Sequence, residues 1–111
     1  MLKSILLVLL TASLQSNPVH VKVTNNHWDD MRVYVQGRSS GLRRLGFVTA
    51  HRTEVFTLPA TSRGWLWFVG RPMGGRPTET STEEFATDWS YFEWTINNAH
   101  DTDHLEHYRQ R

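Results

Sequence analysis

Val19, Val21 and Val23 alternate with His20, Lys22 and Thr24, and after a short polar island Met31, Val33 and Val35 alternate with Arg32, Tyr34 and Gln36. A two-residue period places every second side chain on the same side of an extended chain, whereas a helix needs a period near 3.6. Both runs therefore read as half-buried strands, each with one face of branched aliphatics that must be covered by another layer. The island between them, Asn25-Asn26-His27-Trp28-Asp29-Asp30, carries amides and carboxylates that bond their own main chain and tolerate left-handed backbone. It reads as a hairpin or an inter-sheet corner, with Trp28 capping the end of the core.

The same grammar continues. Gly37-Arg38-Ser39-Ser40-Gly41 is a turn, and Leu42–Thr49 is a strand in which Gly46 marks a bulge. Thr53–Leu58 is a strand stopped by Pro59. Trp65–Val69 is apolar on both faces, as expected of a central strand. Gly70–Pro77 reads as a loop, Thr78–Phe85 as an exposed edge strand, and Tyr91–Asn97 as a strand with Phe92, Trp94 and Ile96 on one face. No helix is predicted inside the domain. Six to seven short strands punctuated by turns predict an all-β, antiparallel β-sandwich of immunoglobulin-like size, with a small barrel as the alternative.

The two ends read differently. Lys3 followed by the apolar run Ile5–Leu14 resembles the charged and hydrophobic parts of a secretory signal peptide. At a helical rise of about 1.5 Å per residue that run reaches only half of a hydrocarbon core of about 30 Å, too short to span. Residues 1–16 are expected to be the signal peptide, cut after Ser16 or Ser13, and residues 17–97 the sandwich domain. The protein is then periplasmic or extracellular, with no integral membrane span after processing. Residues 98–111 are polar throughout and read as a solvated, disordered tail.

With no cysteine, disulfides and thiolate chemistry are excluded, so the core alone must hold the domain together. Five Trp, five Phe and three Tyr supply the large apolar surface this requires. The formal net charge of +1 gives no overall field for nucleic acid. The charges are nonetheless segregated: seven Arg and one acid lie between Arg38 and Arg76, and eight acids with no Lys or Arg lie between Glu79 and Glu106. Such blocks either neutralise each other across the fold or create a bipolar surface that steers an anionic partner to the Arg side.

Four segments resemble one known group. They are the V-x-V-x-N-N-x-x-x-D-M-x-V-Y-V run from Val21 to Val35, the R-R-L-G-x-V and F-x-L-P segments at Arg43–Val48 and Phe56–Pro59, and the late D-x-x-x-F-x-W-x-I segment at Asp88–Ile96. Together they look like a group of small exported bacterial β-sandwich proteins, over about residues 19 to 97. The resemblance implies architecture and export, and it carries no activity, ligand or site residue.

Candidate chemistry is sparse. His27, Asp29 and Asp30 could share a metal or form a base with its orienting acid, but the spacing of a zinc site is missing and the corner reading is preferred. His100, His104 and His107 would share one face only if the tail were helical, so no metal site is expected. Gly-x-Ser-x-Gly, phosphate-cradling glycine loops and His-Glu-x-x-His are all absent from the sequence. Glu83 and Glu84, on opposite faces of a strand, cannot act as a pair. The aromatic residues Trp65, Trp67, Trp89 and Tyr91, with Arg71 and Arg76, are the candidate recognition surface, while Trp94 belongs to the core.

The expectation is therefore a binding or protein-interaction module at the bacterial cell envelope, without catalytic residues or cofactor. Its partner would be an envelope or extracellular protein, and a polysaccharide held on a Trp/Tyr platform is the alternative. A small hydrolase is the third reading.

Overall fold

Residues 18–75, 77–97 and 103–109 are described by a computed structural model. Among them run nine strands and no helix: β1 His20–Asn25, β2 Met31–Gly37, β3 Arg43–Val48, β4 Thr53–Thr57, β5 Gly64–Pro72, β6 Glu79–Thr80, β7 Glu84–Ala86, β8 Ser90–Ile96 and β9 His104–Arg109. They form two open sheets. Sheet A has the order β4-β1-β8-β9, and sheet B the order β3-β2-β5-β6, with β7 also paired to β5. The expected signal segment, residues 1–16, lies outside the described residues.

The alternation in β1 and β2 does what its period requires. Val21 and Val23 point inward from sheet A, and Met31, Val33 and Val35 point inward from sheet B, all buried. Phe92, Trp94 and Ile96 of β8 join the first set, while Leu66 and Phe68 of β5 join the second. The two inner faces meet through aromatic rings. Phe68 stands edge-on to Phe92 at 5.3 Å and lies nearly parallel to Trp94 at 6.1 Å. The layers are so close that Gly70 has no room to spare: a Cβ there would lie 3.2 Å from Ile96 Cδ1 and 3.4 Å from Trp94. This is sandwich-like packing around one apolar layer.

Four sequence expectations need correction. The strands are not all antiparallel, because β1 pairs with β8 in parallel, Val21 beside Phe92 and Val23 beside Trp94. Alternation specifies faces but not strand direction, so this could not be read from the pattern. The predicted edge strand Thr78–Phe85 is broken into β6 and β7. Ser81 interrupts it: its Oγ accepts the Phe68 N–H at 2.8 Å and donates to the Thr82 carbonyl at 3.0 Å, so a side chain stands where the ladder would continue.

The third correction concerns the tail. Residues 104–109, expected to be solvated and disordered, form β9 along residues 90–95 of β8. The edge of β8 would otherwise leave main-chain groups unpaired beside the core, a cost that backbone pairing removes. Leu105 then packs against the core, and the Asp103 carboxylate accepts the Asn97 N–H at 2.8 Å where the hairpin closes. Fourth, the bulge foreseen at Gly46 falls one residue earlier. Val33 pairs with Gly46 and Tyr34 with Arg44, leaving Leu45 unpaired. Gly46 itself is required by a close approach, since a Cβ there would come within 2.5 Å of the Phe56 ring.

Candidate functional site

The island between β1 and β2 is an inter-sheet corner. Asn25, fully buried, organises it: its Nδ2 donates to the carbonyls of Asp29 (2.9 Å) and Val48 (3.1 Å), and its Oδ1 accepts the His27 N–H at 2.9 Å. His27 is buried too, and its Nδ1 accepts the Asp29 N–H at 3.0 Å, which places the ring proton on Nε2. Asp30 accepts the Ala50 N–H at 2.8 Å. The polar groups that looked like chemistry are spent on turning the chain. Trp28, expected as a cap on the core, is 56% exposed instead.

The aromatic candidates do not form one surface. Tyr91 lies on the outer face of sheet A, where it meets Tyr108 of β9 at 6.2 Å. Trp65 and Trp67 lie on the outer face of sheet B, opposite to the buried Leu66 and Phe68. Trp89 sits in the β7–β8 connection, and Arg76 and His100 lie outside the described residues. His104 and His107 project from opposite sides of β9, as residues three apart in a strand must. No cluster of three metal-capable side chains occurs among the described residues.

Register shows what surrounds Trp65 and Trp67. Arg32 is the cross-strand neighbour of both Phe47 and Arg71, and Tyr34 that of Arg44 and Val69, so all of these share the outer face of sheet B. Phe85 stands opposite Trp65 and meets it edge-on at 5.4 Å and 80°. Two guanidinium groups lie over rings on this face, Arg38 over Trp65 at 4.8 Å and Arg71 over Tyr34 at 5.0 Å. Arg38 also grips Glu83 through both guanidinium and carboxylate forks, with Nε to Oε2 at 3.0 Å. That pairing holds the Glu83 carboxyl below the usual carboxylate range and raises Arg38. Arg32, Arg44 and Arg71 give the remainder of the face a positive, aromatic character. Placing like charges directly across a strand pair, as at Arg32 and Arg71, costs a few tenths of a kcal/mol or more.

A second constellation lies at the open seam between β9 of sheet A and β7 of sheet B. There a cavity of about 300 Å³ is lined by Phe85, Thr87, Trp89, Ser90, His107 and Arg109. Ser90 Oγ is 2.7 Å from His107 Nε2, and His107 Nδ1 is 3.6 Å from Glu84 Oε2. The His107 ring is held flat against Phe92, with centroids 4.4 Å apart. Glu84, Ser90 and His107 were not singled out as a set from the sequence. They come from three strands, and no local pattern links them.

A third feature joins the sheets at the far end of β9. The Glu79 carboxyl of β6 is pushed up to about 7, first by burial and then by its hydrogen bond to Asp103 and the charge of that group. No helix among the described residues is long and apolar enough to cross a membrane. No known protein-family model matches the chain, and no curated protein matches it either.

Proposed function

We propose that this protein is an exported binding module that holds an acidic protein partner on the outer face of sheet B. The observation that carries this reading is the row of Arg32, Arg44 and Arg71 set among Tyr34, Trp65 and Trp67. Arg32 and Arg71 repel across the strand pair, a cost that a carboxylate-bearing partner would turn into attraction. The rings supply rigid contact area at little entropic cost, and both Arg and large aromatics concentrate the energy of protein interfaces.

Export belongs to the same proposal and is supported by the charged start and the apolar run Ile5–Leu14. So does an immunoglobulin-like identity for the domain, supported by two sheets packed face to face. The polysaccharide alternative is less well served, because Phe85 stands edge-on to Trp65 and the Arg38 guanidinium covers that ring. A flat sugar would find no open platform there.

The test is affinity capture from cell-envelope extract with the mature domain and with an Arg32→Glu/Arg71→Glu variant. An acidic protein retained by the first, released by moderate salt and lost in the second is the expected result. Identical retention by both, or tryptophan quenching by soluble polysaccharide with no protein retained, would discard the reading. Separately, charged residues at Leu6, Leu7 and Leu9 should abolish export of the full chain.

A further inference from the structure

We infer that the seam between β7 and β9 is a hydrolytic site in which Ser90 is the nucleophile, His107 its base and Glu84 a positioning residue, acting on small carboxylic esters. The inference is independent of the binding face on sheet B. Ser90 is the cross-strand neighbour of Arg109, and Phe92 that of His107, so all four project to the inner side of sheet A at its open edge. Glu84, paired with the buried Leu66, reaches the same space from sheet B. Three side chains that serve as nucleophile, base and orienter in acyl transfer thus converge from two sheets.

The hydrogen-bond directions suit those roles. A carboxylate beside Nδ1 favours the tautomer with its proton on Nδ1, which leaves Nε2 free to accept from the Ser90 hydroxyl at 2.7 Å. The 3.6 Å between Nδ1 and Glu84 is longer than a hydrogen bond, within the slack that such contacts show before a substrate tightens them. Stacking on Phe92 fixes the ring plane. The Thr87 N–H donates to Ser90 Oγ at 2.9 Å, which stabilises negative charge on that oxygen. The Thr87 hydroxyl, 3.4 Å from Ser90 Oγ, is a donor for a developing oxyanion, and Arg109 also lines the cavity.

Cavity size and lining define the substrate class. About 300 Å³ walled by Phe85 and Trp89 fits a small apolar or aryl ester and excludes a folded polymer. Ser90 Oγ bonds to the ester carbonyl carbon as its proton passes to His107 Nε2, and the carbonyl electron pair moves onto oxygen. That pair returns to re-form the carbonyl, the bond to the alcohol oxygen breaks, and His107 gives its proton to the departing alcohol. Water then attacks the acyl-Ser90 by the same route, releasing the carboxylic acid and restoring the hydroxyl.

The full chain, incubated with p-nitrophenyl acetate and with a fluorophosphonate, provides the test. The fluorophosphonate should attach to Ser90, located by peptide mass. Nitrophenolate release should fall by roughly 100-fold or more in Ser90→Ala and His107→Asn. Glu84→Gln, half-buried on the edge strand β7, should keep the fold, slow the reaction roughly tenfold and displace its pH profile, which a merely structural Glu84 would not move. An unmodified Ser90 in folded protein overturns the proposal, and so does a Ser90→Ala rate equal to that of the wild type or an unmoved profile in Glu84→Gln. The labelling arm uses the unaltered chain, so the proposal stays open to refutation even if Ser90→Ala fails to fold.

Discussion

At the scale of single residues, Asn25 and Trp94 show two ways in which a buried side chain holds the fold. Asn25 is polar and satisfies three main-chain groups of the corner at once. Asn25→Ala leaves those groups buried and unpaired, so it should destabilise by about 3 kcal/mol, measurable by urea unfolding. Trp94 works by volume: it fills the space against Phe68 and the Gly70 backbone, and its indole Nε1 has no hydrogen-bond partner among the described residues. Trp94→Ala should cost about 3–5 kcal/mol, while Trp94→Phe, which removes that unpaired donor and keeps a ring, should cost clearly less. Gly46 lies between these cases, since a methyl group there meets the Phe56 ring. Gly46→Ala should lower stability by about 1–3 kcal/mol through overpacking.

At the scale of elements, β9 changes how the end of the chain is understood. Its composition is that of a solvated tail, and only Leu105 carries an aliphatic side chain inward. What makes it a strand is the neighbouring edge of β8, whose main-chain groups need partners. Truncation after Asn97 should therefore reduce stability by about 2 kcal/mol, from lost burial of Leu105 and of the ring contact between Phe92 and His107. For a domain of this size that is a fall in Tm of about 8–16 °C. An unchanged melting curve would show that β9 is dispensable. The central place of β5 was legible in its two apolar faces, and the corner in its amides and carboxylates. The parallel pairing of β1 with β8 was not, because alternation is silent about direction.

At the scale of the whole molecule, the sheets are coupled at their edges by acids. Glu79 of sheet B shares a hydrogen bond with Asp103 at the start of β9 in sheet A, and its pKa rises from 4.5 to about 7. Below pH 4.5 the group is protonated in both folded and unfolded chains. Between about 4.5 and 7 only the folded chain keeps the proton, so the stability due to this pair declines as pH rises through that window. Glu79→Gln should flatten this decline and make the protein more stable than wild type near neutral pH. Parallel melting curves of the two proteins across that range measure it.

The amino-acid sequence by itself determined that the domain is built of strands, which faces of β1, β2 and β8 meet the core, where the chain turns between β1 and β2 and that no disulfide supports it. These follow from periodicity and local chemistry, which operate over a few residues. Besides the parallel pairing and β9, two candidate sites were decided only in three dimensions: the Arg-aromatic face of sheet B, and the meeting of Glu84, Ser90 and His107 at the seam. Both depend on which strands become neighbours and in what register, a choice made by the total burial of two faces and by edges seeking partners. Short-range pattern carries no record of that choice.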